Sequence, residues 1–470
     1  MNSIYISSEQ KKALATLFEL HPIINAVAQD CMRTGGKIYL VGGVVRDVVM
    51  NLPIKDIDVE VHGLTLEQLT LVLRQYGIVN YVGKSFGVLR LEHSIIDWSL
   101  PRTDSVGRKP EVVVDPSLDI TRALQRRDLT MNALALDVEQ DCIIDPFGGI
   151  LDIQNKILRS PDIAFFAEDP LRFFRVMQFI SRFDMYPDAI LENTCRTMNL
   201  AGVSRERIEQ EFEKLLLQST FPSLGIRWLQ SIGRLEELFP ELAALVVVPQ
   251  NPAWHPEGDV FEHTMQVVDA AAALTITDKE TRLIILYAAL CHDLGKVTTT
   301  REKDGKIISY GHDEAGVPLA QQLLKRITHA AHIIDSVKIL VRHHMAPGLF
   351  ARQNASASAY KRLALKVSPE VSLEMLSYLS YADFRGRNGE ENRPLIGSVP
   401  EVDVFVQKAR DYNLLHAPEK PLLEGRDLLD NIEPGPRIGA LVREAYQIQI
   451  NENIRDKELL KTRVLKIKKA

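Results

Sequence analysis

The stretch KIYLVGGVVRDVVMNLPIKDIDVEV, residues 37–61, contains two strand-like segments separated by a glycine turn and a short helical segment. KIYLV predicts a strand because β-branched and aromatic residues favour extended backbone. Gly42-Gly43 then turns the chain into VVRDVVMNL, which Pro53 ends. In DIDVEV acidic and apolar residues alternate, so the acidic side chains share one face of a strand. This order predicts a small sheet with helices packed on it.

The length and composition predict a globular protein of several domains. The 470 residues are about three times a typical domain, which predicts roughly two to four domains. Apolar residues make up 46% of the chain, enough for real cores. The net charge of −6 argues against a protein that is basic throughout. Locally basic segments at 126–128, 204–207 and the C-terminus still leave room for nucleic acid.

The cysteines and the apolar runs predict the compartment. Cys31, Cys142, Cys195 and Cys291 are far apart and form no CxxC pair, which predicts reduced thiols. The N-terminus carries charges where a signal peptide needs an apolar core. No apolar run reaches membrane-spanning length. We therefore expect a soluble, cytoplasmic protein with no membrane partner.

Four regions are predicted, which together make an α+β protein that is mostly helical. A lead-in helix over 1–35 precedes strands and helices that alternate as far as about residue 150. Apolar residues then recur at helical spacing. Three prolines in VPQNPAWHP mark a joint before a region that contains most of the 12 histidines. The predicted regions are a head with a small sheet (1–150), a helical neck and body (151–248), a histidine-rich helical domain (249–390) and a helical tail (391–470).

The glycine turn in the head is a candidate phosphate site. Backbone N–H groups at Gly42 and Gly43 can approach a phosphate, and the following helix N-terminus favours its negative charge. Arg46, one turn on, could bind the same phosphate with two hydrogen bonds. A turn of this kind is more often only a turn, so its other neighbours decide the interpretation.

The carboxylates that follow strengthen the phosphate hypothesis. Asp56 and Asp58 are roughly 7 Å apart at Cα on one strand face, with Glu60 beyond them. Like charges held so close favour a divalent ion, and hard oxygen ligands suit Mg²⁺. A later strand, SIIDWSL, offers Asp97 as a third carboxylate. The alternative is a solvated edge strand.

Several motifs in order resemble one family. GGVVRD…DIDV, RRDLTMNALALD (126–137), DPFGGILDIQNKILR (145–159) and EDPLRFFRVMQFISRF (168–183) are similar to the bacterial class II tRNA nucleotidyltransferase (CCA-adding enzyme) and poly(A) polymerase family. That family has a polymerase β-like head, and the likeness covers about 36–245. It implies metal binding by the two DxD aspartates and nucleotide binding by Gly42, Gly43, Arg46, Asp47, Arg127, Asp128 and Asn132.

A later pair of residues could choose the base. EDPLR predicts a helix start with Asp169 as N-cap, Pro170 at N1 and Arg172 at N3. Cytosine and adenine each present an amino donor beside a ring-nitrogen acceptor, which matches a carboxylate and a guanidinium. Uracil and guanine mismatch this pair. The alternative is a cap with a local ion pair. The resemblance assigns base selection to these two residues, and supporting roles to Arg175, Glu206 and Arg207.

The histidines predict a second metal site. Single histidines are usually packed or surface residues, but their clustering around CHDLGK favours ligands. FEHTMQ…CHDLGK…GHDEAG…VRHHMAP…YADFRGR resembles an HD-type metal-dependent phosphohydrolase. Imidazole and carboxylate ligands suit Ni, Mn, Co, Fe or Zn. Lys296 could steady a phosphate substrate. The resemblance implies ligands at His263, His292, Asp293, His312, one of His343 and His344, and Asp383.

We therefore predict a template-independent enzyme that adds C and A to tRNA 3′ ends from CTP and ATP, releases pyrophosphate and carries a phosphoesterase domain. Within this class, an A-adding or CC-adding specialist or a poly(A) polymerase stays open. The uninterrupted loop at 101–119 favours the full activity. A different class is a phosphohydrolase whose head only binds RNA, and a third is a small-molecule phosphohydrolase. Intact Asp56 and Asp58 argue against the former. The oligomeric state, a homodimer included, stays open.

Overall fold

The computed structural model describes residues 3–5, 7–82, 87–104 and 112–467. It divides into two compact units, the first ending at Ser204 and the second beginning at Arg205. The predicted neck and body region, 151–248, is therefore divided between the two units. The predicted boundaries at 150, 248 and 390 remain predictions.

The first unit contains the sheet. Its strands are β1 Ser3–Tyr5, β2 Lys37–Val41, β3 Ile57–His62, β4 Val79–Tyr81, β5 Val88–Leu91, β6 Ile96–Ser99, β7 Arg102–Asp104, β8 Val112–Val114, β9 Ala135–Asp137, β10 Cys142–Ile144, β11 Ile157–Leu158 and β12 Tyr186–Pro187. Eight of them form one mixed sheet in the order β1-β10-β9-β2-β3-β6-β5-β4. β7 with β8, and β11 with β12, form separate pairs.

The first unit also contains helices. They are α1 Ser8–Leu20, α2 Ile23–Arg33, α3 Gly43–Val49, α4 Leu66–Leu73, α5 Ile120–Gln125, α6 Gly149–Gln154, α7 Ile163–Glu168, α8 Leu171–Phe183 and α9 Ala189–Thr197, with a 3₁₀ turn at Thr130–Asn132. Ser7 and Thr65 begin α1 and α4 with capping boxes, which satisfy backbone donors at each helix start. Leu40, Val59 and Trp98 are fully buried in the core between sheet and helices.

The strand order positions the acidic residues. β3 is antiparallel to β2 and parallel to β6. In the parallel pair Asp58 is opposite Asp97. Residues opposite each other on paired strands point to the same face, so these carboxylates are neighbours. Asp56 immediately precedes β3.

Two predictions for the head were incomplete. The lead-in over 1–35 is not one helix but β1, α1 and α2. β1 pairs with β10 at the sheet edge, a long-range contact that local periodicity does not report. The ALALD segment contains a further strand, β9, between β10 and β2. The ends of the predicted 101–119 loop form β7 and β8, and residues 105–111 lie outside the described residues.

The second unit is mainly helical. Its helices are α10 Arg205–Gln218, α11 Ser223–Ser231, α12 Leu235–Leu238, α13 Pro240–Ala243, α14 Val260–Ala272, α15 Lys279–Cys291, α16 Lys296–Thr299, α17 His312–Ile327, α18 Ala331–His343, α19 Ala346–Arg352, α20 Ala357–Val367, α21 Leu373–Arg385, α22 Pro400–Asp411, α23 Pro436–Glu452 and α24 Lys457–Ile467. A 3₁₀ turn covers Gly425–Leu428, and α23 and α24 share an apolar cluster of their own. The predicted mostly helical α+β fold is confirmed.

One element of the second unit departs from the helical prediction. β13 Arg301–Lys303 and β14 Lys306–Ile308 form an antiparallel hairpin. Asp304 and Gly305 join them with φ of +50° and +69°. An Asp-Gly pair favours this two-residue turn because both residues tolerate positive φ. The KDGK signal was present in the sequence, within a region whose periodicity is otherwise helical.

None of the helices in the described ranges combines the length and the apolar character that a membrane span requires.

Asp269 predicts a pH dependence of stability. Its carboxylate on α14 accepts hydrogen bonds from Ser223 N and Oγ, at 2.9 and 2.6 Å. Burial raises its pKa to about 7, although Ser223 and Arg227 act in the opposite direction. Asp269 therefore ionises at a lower pH in the unfolded chain than in the folded protein. The free energy of unfolding consequently falls as the pH rises from about 4 to about 7. Asp269→Asn mimics the protonated form, so its stability relative to the parent should rise across that window.

Chemical unfolding at several pH values measures this difference. Asp304→Asn, in the exposed hairpin turn, is the matched control and should track the parent. A difference between Asp269→Asn and the parent that does not change between pH 4 and 7 contradicts the assignment.

Candidate active sites

A carboxylate cluster lies where β3 and β6 pair. Asp58 and Asp97 are adjacent in register, and Asp56 is close enough to act on the charge of Asp58. Asp97 also accepts two hydrogen bonds from Arg90 on β5, at 2.6 and 2.7 Å. The structure thus places Asp58 beside Asp97, with Asp56 close enough to affect the pKa of Asp58, and gives Asp97 a cationic partner. A role for Asp97 in metal binding remains a prediction.

The environment of Asp58 favours a cation. Desolvation raises the pKa of Asp58, and so do Asp97, Asp56 and Glu60, while Arg127 lowers it. Several carboxylates that repel one another, all with hard oxygen donors, fit a divalent ion such as Mg²⁺.

Glu60, which shares a predicted strand face with Asp56 and Asp58, pairs with basic side chains. Its Oε1 lies 2.9 Å from His62 Nε2, and Arg126 lies 3.7 Å from Oε2. Burial alone would raise the pKa of Glu60, but His62, Arg127 and Arg126 lower it. Glu60 is therefore a buried anion that holds basic side chains beside the cluster.

The glycine turn is shaped by Arg127. Gly42 has φ of +74°, and a Cβ built there would overlap Arg127 Nη1. Gly43 has more room, since its Cβ would lie 3.6 Å from Arg46 Nη2. Arg127 Nε is buried, and it has no hydrogen-bond partner among the residues that the structure describes. An unpaired buried donor beside a carboxylate cluster suits an anionic ligand such as a phosphate.

Arg46 joins the turn to neighbouring elements. Its Nε and Nη2 donate to Asp47 Oδ1 at 2.9 and 2.7 Å, and Nη1 donates to Asn132 Oδ1 at 2.8 Å. Its guanidinium also stacks over Phe183 of α8, 4.9 Å from the ring centroid. The structure shows Arg46 as a link between α3, the 3₁₀ turn and α8. Its predicted phosphate contact remains a prediction.

Asp128 connects the same 3₁₀ turn to α8. Its Oδ1 accepts from Asn132 Nδ2 at 3.0 Å, and its Oδ2 from Arg175 Nε at 2.6 Å. Burial would raise the pKa of Asp128, but Arg175 and Asn132 lower it to about 2. The carboxylate is therefore ionised, and the pair with Arg175 ties α8 to the head.

The residues predicted to select the base lie at the junction of α7 and α8. Pro170, rather than Asp169, is the N-cap, and α8 begins at Leu171. Asp169 still acts locally as expected, because its Oδ1 accepts from Leu171 N at 3.1 Å. Arg172 donates from Nη1 to Phe165 O at 2.7 Å and from Nη2 to Arg126 O at 3.0 Å. These carbonyls hold the guanidinium in one orientation.

One cavity of about 330 Å³ collects these groups. It brings residues from β3 and β6 together with residues from the RRD segment and α8, and Arg102 and Arg126 join it although the sequence did not single them out. Glu206 and Arg207 begin α10 in the second unit, where Glu206 lies 3.6 Å from His329. Their supporting role remains a prediction. The lining residues are Val41, Asp58, Glu60, Val88, Asp97, Ser99, Leu100, Arg102, Arg126, Arg127, Asp128, Asp169, Arg172 and Arg175.

The second unit holds a buried histidine cluster whose rings are oriented by backbone carbonyls. His292 Nδ1 lies 2.8 Å from Ala289 O, and His312 Nδ1 lies 2.8 Å from Ser309 O. His344 Nδ1 contacts Val341 O at 2.6 Å, and His263 Nδ1 contacts Gly386 O at 3.1 Å. Donation from Nδ1 leaves the Nε2 lone pair available as a metal ligand.

The four Nε2 atoms converge in pairs around one aspartate. His263 and His292 approach to 3.3 Å, and His312 and His344 to 3.1 Å. Asp293 Oδ2 lies 3.3 Å from His292, and its Oδ1 lies 3.4 Å from His312. Asp383 adds a carboxylate 3.2 Å from His263. Facing lone pairs repel unless a cation lies between them, so the donor set fits bound metal ions.

The predicted choice between His343 and His344 is resolved in part. His344 shares a potential ligand group with Asp293 and His312, and His343 belongs to none of the groups found among the described residues. The two histidines are adjacent at the end of α18, where successive side chains point in different directions.

Sequence reasoning missed two members of this site. Glu257 is buried, and its Oε1 lies 2.7 Å from His263 Nδ1 and 2.9 Å from His255 Nδ1. A carboxylate behind a ligating histidine orients the ring and raises its basicity. The signal was the HPE triplet at 255–257, which lies at the end of the proline-rich joint.

A second cavity, of about 380 Å³, opens on this cluster. Lys296 on its wall donates to Gln250 Oε1 at 2.7 Å and lies 2.7 Å from Asp293 Oδ2. Arg387 lies 2.7 Å from Asp383. The cavity thus combines potential metal ligands with basic side chains, an arrangement suited to a phosphate ester.

Three family models match the chain. Residues 38–159 match the Poly A polymerase head domain, and residues 188–245 match the Probable RNA and SrmB-binding site of polymerase A. Residues 260–373 match the HD domain. The first and third segments contain the carboxylate cluster and most of the histidine cluster.

Two relatives that match about three-quarters of the chain are consistent with these family matches. A Multifunctional CCA protein of Pasteurella multocida is 36% identical over 370 residues, which cover 76% of this chain and 85% of the relative. One from Mannheimia succiniciproducens is 35% identical over 366 residues, with coverage of 75% and 85%.

Solved structures share the fold. The Bacillus stearothermophilus CCA-adding enzyme in complex with CTP superposes with a TM-score of 0.65 at 20% identity, covering 99% of this chain and 98% of that one. The Thermotoga maritima CCA-adding enzyme complexed with tRNA gives 0.57 at 20% identity, with coverage of 95% of both chains.

The close contact between Gly42 and Arg127 predicts that Gly42→Ala lowers nucleotide transfer. Gly42→Ala places a methyl group against Arg127, so the guanidinium must move away from the carboxylates. A displacement of about 1 Å near reacting groups lowers turnover on the order of 100-fold. Nucleotide transfer assays measure this loss.

Gly35→Ala is the matched control. Gly35 also has positive φ, +85°, but open space at its Cβ, so this variant carries an L residue at positive φ without a clash. Equal losses of activity in the two variants would mean that strain, and not Arg127, is responsible.

The histidine cluster predicts unequal effects of adjacent substitutions. His344→Ala removes a buried donor that faces His312, whereas His343→Ala removes a side chain outside the cluster. Metal affinity of the first variant should fall by more than the roughly 10- to 100-fold that the loss of an outer partner causes. Metal analysis of both purified proteins tests this. Equal metal content in the two variants refutes the ligand set.

Proposed function

The chain belongs to the family of multifunctional CCA proteins, and from this we propose that it adds C and A to the 3′ ends of tRNA, using CTP and ATP and no nucleic-acid template. The observation that carries the proposal is that one cavity contains Asp58, Asp97, Asp169 and Arg172. Groups suited to transfer chemistry and groups suited to reading a base therefore meet in one place. We further propose that the enzyme acts in the cytoplasm.

The transfer step uses groups on the cavity wall together with Asp56 and the glycine turn, which neighbour Asp58 and Arg127 of that wall. The tRNA 3′ hydroxyl attacks the α-phosphate, a new P–O bond forms, and pyrophosphate leaves with the electrons of the broken bond. Arg127 and the glycine turn bind the triphosphate, while Asp56 and Asp58 hold Mg²⁺. The ion supplies positive charge that favours an ionised hydroxyl and a leaving pyrophosphate.

Base choice follows from fixed donors and acceptors. The Asp169 carboxylate accepts from the amino group of cytosine or adenine, and Arg172 donates to the adjacent ring nitrogen. Uracil and guanine present an acceptor to Asp169 and a donor to Arg172, so both protein groups are left unpaired, at a cost of roughly 1–3 kcal/mol per group. Because Phe165 O and Arg126 O hold Arg172, the pair keeps its geometry for either accepted base.

The histidine cluster supports a second activity, the hydrolysis of phosphate esters. His263, His292, Asp293 and Asp383 hold a transition metal, and His312 and His344 complete a second site. Ni, Mn, Co, Fe and Zn all suit these ligands. An ion bound there would supply positive charge that makes water a better nucleophile toward phosphorus. Lys296 and Arg387 bind the phosphate oxygens.

Transfer assays separate the two activities. tRNAs that end before CCA, after C and after CC are incubated with Mg²⁺ and with CTP and ATP, singly and together. We expect complete addition to all three. Asp58→Ala should lower transfer roughly 100-fold or more, because the ion contributes several kcal/mol to the transition state. His292→Ala should lose metal and phosphoesterase activity but retain transfer.

Each alternative has its own outcome. Product only from the CC-ended tRNA with ATP would identify an A-adding specialist, and incorporation that stops after CC a CC-adding one. Long A tracts would identify a poly(A) polymerase. Phosphoester hydrolysis with no transfer to any tRNA would overturn the main proposal in favour of an RNA-binding head.

A further inference from the structure

The polar face of strand β3 continues past the carboxylate cluster to a buried histidine. Asp58, Glu60 and His62 alternate along this strand and therefore share one face. Glu60 is 1% exposed and His62 is 9% exposed. Glu60 lines the cavity of the proposed transfer site together with Arg126 and Arg127. Burying charged groups is costly unless they are paired, so the partners of this face decide what it does.

Hydrogen bonding fixes the charge of His62. Its Nδ1 lies 2.9 Å from the backbone carbonyl of Leu118, and its Nε2 lies 2.9 Å from Glu60 Oε1. A carbonyl only accepts hydrogen bonds, so Nδ1 carries a proton. Burial would raise the pKa of Glu60, but His62 and two arginines lower it, so the carboxylate accepts as well. Both ring nitrogens therefore donate, and His62 is an imidazolium.

The His62–Glu60 pair contacts the chain on both sides of a short helix. Leu118, which accepts from His62, immediately precedes Asp119, the N-cap of α5. At its other end α5 leads directly into Arg126, whose Nη2 lies 3.7 Å from Glu60 Oε2. The position of the arginines after α5, relative to β3, therefore depends on this pair.

Neighbouring groups hold the His62 ring in one orientation. Tyr39 of β2 packs edge-on against it, with ring centroids 5.1 Å apart and planes at 84°. The next residue, Gly63, donates from its N–H to Pro116 O at 2.8 Å, which ties the end of β3 to the segment before α5. Turning the ring would break its hydrogen bonds to Leu118 and Glu60, so the imidazolium stays beside the carboxylate.

Glu60 is in a position to compete with a nucleotide for Arg127. Burial lowers the pKa of the Arg127 guanidinium, and Glu60 opposes this more than any other charge does. An arginine that closed on the carboxylate would offer fewer donors to a triphosphate. His62 instead occupies one carboxylate oxygen and balances its charge, while Arg127 Nε keeps no partner among the described residues. Glu60 thus steadies the arginines without using up their donors.

We propose that His62 is a positioning residue for nucleotide binding: its positive charge balances Glu60, so that Arg126 and Arg127 stay directed at the triphosphate. The inference rests on the proposed transfer function, because it concerns the same cavity. His62 is not one of the residues that line this cavity, so it acts through Glu60 and touches no substrate. CTP and ATP carry the same triphosphate, so both depend on His62 equally.

His62→Gln tests the role of the charge, because it removes the imidazolium and keeps an amide donor. Equilibrium binding of CTP and of ATP is measured with Mg²⁺ and without RNA, so that no transfer occurs. Both affinities should fall about 10-fold, the lower end of the effect of losing one charge-assisted hydrogen bond. In transfer assays KM for each nucleotide should rise by a similar factor, while kcat at saturating nucleotide changes by less than about threefold.

A second substitution distinguishes a charge effect from damage to the fold. The double variant His62→Gln, Glu60→Gln leaves no anion to draw Arg127 away, and the new amide can still accept from Arg126. Its nucleotide affinity should return to within about threefold of the parent, a non-additivity expected only of residues that interact. If His62 only filled space, the second buried change would leave the affinity as low as in the single variant or lower.

A surface histidine provides the matched control. His332 on α18 lies 3.4 Å from Glu280, and both side chains are more than half exposed. His332→Gln therefore breaks a histidine–glutamate pair far along the chain from the cavity. It should bind CTP and ATP as tightly as the parent.

The outcomes separate this inference from the proposed transfer function. Parent-like binding by His62→Gln, unequal losses for CTP and ATP, or a double variant that binds no more tightly than the single one overturns the positioning role. If the parent still adds nucleotides to tRNA in that case, the proposed function stands. A parent that neither binds CTP and ATP nor transfers them overturns the proposed function, and this inference with it.

Discussion

The ion pair between Asp128 and Arg175 is the contact on which the proposed transfer site depends. Asp128 belongs to the RRD segment beside the carboxylates, and Arg175 belongs to the helix that presents Arg172. A pKa lowered from 3.8 to about 2 corresponds to roughly 2 kcal/mol of stabilisation. This stabilisation is present above the unfolded pKa and is lost as the pH falls toward 2. At neutral pH the pair holds the helix that carries Arg172, a proposed base-selecting residue, against the segment beside the carboxylates.

Both sites use backbone carbonyls to orient side chains. Two carbonyls hold the guanidinium of Arg172, and four hold the Nδ1 atoms of the cluster histidines. Carbonyls belong to helices and turns that are already ordered, so the side chains lose little further freedom when a ligand binds. The oxygen-rich set in the head and the nitrogen-rich set in the second unit suit different ions, which keeps the two chemistries apart.

The motifs predicted the chemistry of the site residues more reliably than they predicted which residues lie next to one another in space. Asp56, Asp58 and the clustered histidines could be singled out because their spacing is local and their residue types are uncommon in such patterns. Local spacing does not report partners that are distant in sequence. For that reason Arg90 beside Asp97 and the choice of His344 over His343 were not predictable, and the contact of Glu257 with His263 was signalled only by the local HPE triplet. The predicted lead-in helix over 1–35 missed strand β1 for the same reason, because β1 forms by pairing with the distant strand β10.

By itself the sequence determined the α+β class, the order of a sheet-containing head and a helical remainder, and the residue types of both sites. These depend on periodicity, turn residues and side-chain chemistry, which are properties of short segments. Only the tertiary structure decided that Asp97 is beside Asp58, that Arg46 bonds Asn132, and that Asp293 lies between two histidine pairs. Those facts depend on strand register and helix packing, which bring together residues that are far apart in the chain.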